Sequence, residues 1–202
     1  MSTALFAQKL GMTHVYNDSN RHVPVTILRI TNQVVSALRS LDKDGYDAIQ
    51  LGSIGKKQVN KPQKDELSKN NIEFPIAHRR EIAPIDNREF TLGEVLTVKE
   101  FQPGDVVMVT AVSKGKGFAG TVKRHNFHRG PETHGSKNVR KPGSIGGGYP
   151  QRVLLGRQMP GHMGAQTVTT RGLKVVAINE ADNTLAISGA VPGPNKCRVF
   201  IR

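Results

Sequence analysis

The 202-residue chain has one cysteine, Cys197, so it can form no internal disulfide, which agrees with a reducing compartment. Set between Lys196 and Arg198, that thiol reads as a small packing residue rather than a nucleophile. Long apolar runs are also missing. The opening Met-Ser-Thr-Ala-Leu-Phe-Ala-Gln-Lys holds no stretch of signal-peptide length, and no window approaches about 18 uninterrupted apolar residues. These absences lead to the expectation of a soluble, cytoplasmic protein with no membrane partner. Acids are scarce as well: 16 Asp and Glu face 29 Lys and Arg, for a net charge of +13. An excess of that size repels itself unless something anionic compensates, and nucleic acid is the leading partner on that ground alone.

The charge is concentrated. Residues 113–172 carry 11 Lys and Arg against one acid, Glu132, for +10, whereas the other 142 residues carry 18 against 15, for +3. The same segment holds 13 of the 21 glycines, and its only aromatics are Phe118, Phe127 and Tyr149. It is too poor in large apolar side chains to build a core. It also exceeds the roughly 15 residues beyond which a loop is usually functional or disordered. Ordering on a partner is the expectation.

The flanks are different in kind. Val23 to Ile30 is rich in β-branched residues, and Val34–Leu41 and Tyr46–Leu51 bracket the turn-forming Asp42-Lys-Asp-Gly45. Gly104 to Val112 is another β run, and Leu173–Ile178 and Thr184–Ser188 form a second hairpin around Asn179-Glu-Ala-Asp-Asn183. Short strands at this spacing predict a mainly β fold, a small closed barrel or sandwich. Since strands precede and follow it, the basic stretch is expected to be an insertion at 113–165 whose ends lie close together, leaving 1–112 and 166–202 as the globular domain. A smaller inserted segment spans about 57–92. Within it, Lys61 to Lys69 has proline at its start and predicts a short helix. Ala77-His-Arg-Arg80 is offset by acids at 73, 81, 86 and 89 and reads as a solvated face.

Within the insertion, Gly115, Gly117 and Gly120 let the backbone approach a phosphate chain, and Lys114, Lys116, Lys123 and Arg124 supply neutralising charge. The letters GxGxxG at 115–120 match a dinucleotide fingerprint, but no acid follows about twenty positions later as ribose recognition requires. His125, His128 and His134 have no cysteine near and only Glu132 as carboxylate, so stacking on bases or bonding to phosphate is the expected role rather than zinc binding; His162 reads the same way. A hydrolase triad fails for want of an Asp and a nucleophile elbow. No metal or other cofactor, no small-molecule substrate and no catalytic residue is expected. Tyr149 reads equally as a stacking platform or a packing residue, whereas Phe118 is expected to pack.

Taken together, Lys114-Gly-Lys-Gly-Phe-Ala-Gly-Thr-Val-Lys-Arg124, Thr133-His-Gly-Ser136, Pro142-Gly-Ser-Ile-Gly146, Met159-Pro-Gly-His-Met-Gly164 and Gly189-Ala-Val-Pro-Gly-Pro194 resemble, in order and spacing, the bacterial large-subunit ribosomal protein three family. Gln8 to Thr13 and Asp44 to Gln50 fit as well, so the resemblance covers essentially the whole chain. It implies a closed β-barrel of translation-protein type, with an arm threaded through 23S rRNA toward the peptidyl transferase centre. It also implies an early role in subunit assembly, neighbouring large-subunit ribosomal proteins as partners, and no catalysis. The expected RNA-binding residues are Lys114, Lys116, Lys123, Arg124, His125, His128, Arg129, His134, Lys137, Arg140, Lys141, Arg152, Arg157 and His162. The tip nearest the catalytic RNA is expected at Ser144, Ile145, Gly146, Gly147, Gly148, Tyr149, Pro150 and Gln151, bracketed by Pro142 and Pro150. Two positions depart from the family. Met108 stands where members often have Asp or Asn. Gly147 follows GSIG where many bacterial members carry a methylated glutamine, so that modification is not expected. A freestanding RNA- or single-strand-binding protein, with the barrel face as platform and the basic segment as clamp, is the other reading.

Overall fold

The computed structural model describes residues 4–16, 20–55, 59–70, 72–83 and 90–202. The chain divides into two compact units, one made of residues 1–112 and 167–202 and the other of residues 113–166. The mainly β class expected from the sequence is the one adopted.

In the first unit, six strands pair into a closed ring: β1 (Leu5–Tyr16), β12 (Arg198–Ile201), β7 (Val106–Val112), β10 (Thr167–Asn179), β11 (Thr184–Ser188) and β2 (His22–Ile30), with β2 returning to β1. Every pairing in the ring is antiparallel. Alternation fills the interior, as period-two side chains demand. Val107, Val109 and Ala111 of β7 and Leu185 and Ile187 of β11 are buried, and they meet Leu5, Leu28, Val175, Val199 and Ile201 in one cluster. The expected hairpin at 173–188 is present. Its turn is held by Asn179, whose Oδ1 accepts from the Ala181 and Asp182 amides at 3.0 and 3.4 Å.

Four more strands form a second antiparallel sheet in the order β5 (Ile76–Ile82), β4 (Ala48–Ile54), β3 (Gln33–Arg39), β6 (Val95–Leu96). The expected hairpin between β3 and β4 is there, but Asp42-Lys-Asp belongs to a one-turn helix, α1 (Leu41–Asp44), closed by Gly45 at φ 82°. One face of the sheet joins the barrel core through Val35, Ile49, Leu51, Ile82 and Leu96. The other receives α2 (Lys61–Lys69), whose Leu67 packs with Val34, Ile72 and Ile76. Proline in the first turn starts α2 where the sequence placed it. The stretch 57–92 is therefore more than an excursion, because β5 lies inside it and completes the sheet. Around Ala77 to Arg80, Arg79 pairs with Glu66 at 2.6 Å, and the Arg80 guanidinium lies over the Phe200 ring at 4.1 Å. Asp86 and Glu89, which the sequence set against these cations, lie outside the described residues.

Two polar side chains organise this core. Gln33 is fully buried: its Oε1 accepts from the Phe6 amide at 2.9 Å, and its Nε2 donates to the Phe6 and Thr31 carbonyls at 3.4 and 3.2 Å. A side-chain amide thus stands in for a ladder partner where β2 has ended and β1 continues. Lys9, only 6% exposed, donates from Nζ to the Val191 and Gly193 carbonyls at 2.7 and 3.2 Å. This draws Gly189–Pro194 over the barrel end, where a Cβ on Gly193 (φ 93°) would stand 2.9 Å from the Val112 carbonyl oxygen. Cys197 is half-buried against the core, and desolvation holds its thiol above the ordinary range, in keeping with a packing role.

Replacing Gln33 by leucine keeps the volume and orphans the buried Phe6 amide. A buried unpaired donor costs about 1–3 kcal/mol, so Gln33→Leu is expected to lower unfolding stability by that amount in urea titrations, while Gln33→Glu at low pH, which keeps a carbonyl acceptor, is expected to lose less.

Candidate nucleic-acid interface

The second unit begins as a ribbon. Its first and last residues meet through the Ser113 amide and the Gln166 carbonyl at 2.8 Å, and the Gln166 amide returns to Ser113 Oγ at 3.3 Å. Lys116 N to Met163 O and Met163 N to Gly117 O, both 2.9 Å, carry the zipper to a short ladder. There β8 (Phe118–Ala119) faces β9 (Gly161–His162), with Phe118 opposite His162. The need for glycine in this ribbon is sharpest at Gly164. Gly164 has φ 77°, and a Cβ there would come within 2.1 Å of the Lys114 carbonyl oxygen.

Beyond the ribbon, α3 (Thr121–His125) ends at Asn126 in the left-handed conformation, φ 57°. Asparagine tolerates that region better than most residues. Arg124 and His125, both expected to bind RNA, are employed here inside the unit. Arg124 Nη1 donates to the Met159 carbonyl at 2.7 Å, and His125 Nε2 lies 3.0 Å from the same oxygen. Both side chains are half-buried, so one carbonyl ties the returning chain to the outgoing helix. Gly161 passes so close that a Cβ would stand 2.7 Å from Arg124 Nη1.

Beside these groups lies a cleft of about 420 Å³, lined by Ser113, Lys114, Lys116, Arg124, His125 and His162 together with Met163, Gly164 and Gln166. No acid lines it among the described residues. Three permanent cations and two imidazoles around one concavity suit an anion, and the Lys114 and Lys116 ammonium groups stand on exposed residues.

The tip follows the same economy. Residues 140–158 are all exposed, the tip residues Ser144 to Gln151 among them. Order within it comes from polar ties to the main chain: Arg157 Nη2 donates to the Ser144 carbonyl at 2.6 Å, and Ser144 Oγ donates to the Gly146 carbonyl at 2.9 Å. The Tyr149–Pro150 peptide bond is cis. Tyr149 is 88% exposed, so its ring is presented outward.

The remaining cations expected to meet RNA, namely Lys123, Arg129, Lys137, Arg140, Lys141 and Arg152, are exposed, as are His128, His134 and His162. Arg129 is ion-paired with Glu132, the only acid of the unit. Of the ten Lys and Arg in residues 113–166, nine thus lack a carboxylate partner within the unit. Only Ala119 and Thr121 are buried, so these 54 residues have no apolar interior.

Phe118 overturns an expectation. It does not pack: it is 78% exposed, because the two-stranded ribbon buries a single face and Ala119 takes it. Leu154 and Leu155, the latter fully exposed, were not singled out from the sequence. They sit among residues that offer no core to fill, which is a legible hint that a partner covers them.

Comparison with known proteins agrees with this picture. The family described as Ribosomal protein L3 matches residues 75–190. Large ribosomal subunit protein uL3 of Streptomyces coelicolor is 46% identical over 202 residues, covering 98% of this chain and 94% of that protein. The uL3 of a Geobacillus species is 42% identical over 204 residues, covering 100% and 96%, and the uL3c of Guillardia theta is 46% identical over 196 residues, covering 96% of each. With a family match across more than half its length and relatives aligned almost end to end, the chain belongs to the ribosomal protein L3 family.

Proposed function

We propose that this protein is a structural, non-enzymatic constituent of the large ribosomal subunit in the cytoplasm, held there by direct contact with 23S rRNA. In this reading the barrel, of translation-protein type, docks on folded RNA beside neighbouring ribosomal proteins. Residues 113–165 thread into the RNA interior, and the tip at 143–153 points toward the peptidyl transferase centre. The observation that carries the proposal is the unit with nine unpaired cations and no apolar interior. Such a segment gains almost nothing by burying itself, and a densely anionic partner supplies both the counter-charge and the cover.

The side chains divide the work. Lys114, Lys116, Lys123, Lys137, Arg140, Lys141 and Arg152 neutralise phosphates, with arginine adding a planar fork that meets two oxygens at once. His128, His134, His162 and the outward Tyr149 offer flat faces or ring nitrogens to unpaired bases. Arg124, His125 and Arg157 already hold main-chain carbonyls, so they shape the thread from within. Phosphate contacts position the chain, and RNA shape supplies the specificity. Ordering more than fifty residues costs roughly 1–2 kcal/mol each, so the arm orders as the RNA compacts around it, after the barrel has docked; this places the protein early in assembly.

Three outcomes are expected. The protein stays with 50S particles, one copy per particle, through a high-salt wash; loss in the wash would favour a freestanding RNA-binding protein instead. Deleting 144–151 leaves the barrel folded, as judged by its circular dichroism and melting curve, but lowers the yield of mature 50S or slows peptidyl transfer. On nascent rRNA, hydroxyl-radical protections belonging to the barrel appear before those belonging to the arm; the reverse order would overturn the docking sequence.

A further inference from the structure

Outside the basic unit, one cleft on the barrel gathers cations in a way the proposed arm does not account for. It measures about 250 Å³ and brings together Arg80, Arg171, Arg202, Thr110, Thr169 and Phe200. Two strands and the residue just after a third deliver the arginines, and each is placed by a specific feature of the fold. Arg80 on β5 is laid over the buried Phe200 ring, 4.1 Å from its centroid, and that ring is locked edge-on against Phe6 at 5.2 Å. Arg171 sits in a β-bulge of β10: Thr170 pairs with Val109 and Leu173 with Val107, so Arg171 and Gly172 together oppose the single residue Met108. Gly172 takes φ 74°, and the extra residue turns the strand and re-aims its neighbour, which is what bulges beside functional sites do. Arg202 is brought alongside by its main chain, which bonds the same Met108 in both directions at 2.6 and 2.8 Å.

Three guanidiniums around one small cleft repel unless an anion joins them. Glu81 is the one acid among the described residues lining the cleft. Its carboxylate is already engaged elsewhere, accepting from Tyr46 Oη at 2.9 Å, Gln50 Nε2 at 3.3 Å and Arg39 Nε at 3.4 Å. The hydroxyls point the same way. Thr110 Oγ1 and Thr169 Oγ1 lie 2.9 Å apart, so their mutual bond uses one proton and leaves the other for an outside acceptor. Phe200, the one aromatic ring among the described residues lining the cleft, is covered by Arg80, so it offers no open face for a base to stack on. A group with several anionic oxygens and no ring requirement fits all of these constraints.

We propose that this cleft binds a backbone phosphate of RNA, giving the barrel its own sequence-independent anchor. The inference rests on the reading of the chain as an rRNA-binding protein. It adds a site on residues 1–112 and 167–202 to the one on 113–166. Arginine forks grip the phosphate oxygens and a threonine hydroxyl donates a further bond, so the contact fixes position without reading bases.

The test uses the full-length chain and transcribed 23S rRNA, with the binding constant measured against salt concentration. Each lost phosphate contact lowers the magnitude of the log–log slope by about 0.7–0.9. The double variant R171Q/R202Q is expected to lower it by about 0.7–0.9, the share of one phosphate contact, with an unchanged melting temperature. R80Q, which also removes the contact with Phe200, serves as a second, independent variant expected to lower it in the same direction. A K114Q/K116Q variant, altering the other unit, separates the two claims. If its slope falls while that of R171Q/R202Q equals the parent's, the cleft is refuted and the RNA reading stands. If neither slope falls, both are refuted. If millimolar inorganic phosphate raises the melting temperature of the parent but not of R171Q/R202Q, and their RNA slopes are equal, the occupant is a free anion and the RNA assignment is overturned.

Discussion

Repulsion among like charges that no carboxylate relieves is the constraint on which the rest of this molecule turns. Residues 113–166 place ten Lys and Arg on 54 residues and provide one acid, already paired with Arg129. At physiological ionic strength charges are screened over about 8 Å, so neighbouring cations on an exposed thread feel one another directly. An apolar core would normally outweigh such repulsion, but only Ala119 and Thr121 are buried here. The features that remain are those that save volume and main-chain polarity: the zipper from Ser113 to Met163, the shared Met159 carbonyl, and the Arg157 bond to Ser144. They give the segment a shape without giving it an interior, and the proposed function supplies the missing half of the interface as RNA.

The barrel contributes the opposite kind of stability. Its interior is closed by alternating Val, Leu and Ile on strands that each have two partners, so no edge is left in the ring. Two of its buried polar anchors act on the main chain rather than on other side chains. Gln33 continues the ladder past the end of β2, and Lys9 gathers the loop that carries Val191 and Gly193. Because β7 and β10 pair from Val112 to Thr167, both ends of the basic insertion start from adjacent rungs of one ladder. A rigid root of this kind removes part of the entropy that threading would otherwise cost.

What the sequence disclosed, and what it hid, follows the range of the interactions involved. Strands β2, β7, β10 and β11 were legible because β-branched alternation and turn residues are local signals. The first strand was not, since Gln8 to Thr13 mixes polar residues and glycine, and its burial depends on β12, nearly two hundred positions away. The second sheet was half seen: the β3–β4 hairpin announced itself, whereas β5 carries His78, Arg79, Arg80 and Glu81 and looks solvated until Ile76 and Ile82 are placed. The basic stretch stood out by composition alone. Which of its cations already hold carbonyls, and that Phe118 faces outward, depended on pairings across some forty residues of intervening chain that no local pattern records. The arginine cleft was invisible for the same reason, as positions 80, 171 and 202 meet only through a bulge and a strand end.

The two cationic surfaces also differ in what they ask of the backbone, and the difference explains the glycines. On the barrel, a rigid frame carries arginines to one point, so recognition is by side chain and the strands keep their bulk. In the basic unit the backbone itself must fit, and Gly164 and Gly161 are places where a single Cβ would strike a carbonyl oxygen or a guanidinium. Gly146, Gly147 and Gly148 are of another kind, because a Cβ on any of them would meet nothing closer than 3.8 Å within the chain. Internal packing therefore does not require them. On the proposed function their requirement lies outside the chain, where three successive residues without side chains would lower the width of a thread passing between RNA walls. Arg157 and Ser144 brace the approach to that stretch from within, which lets it stay bare without losing its path.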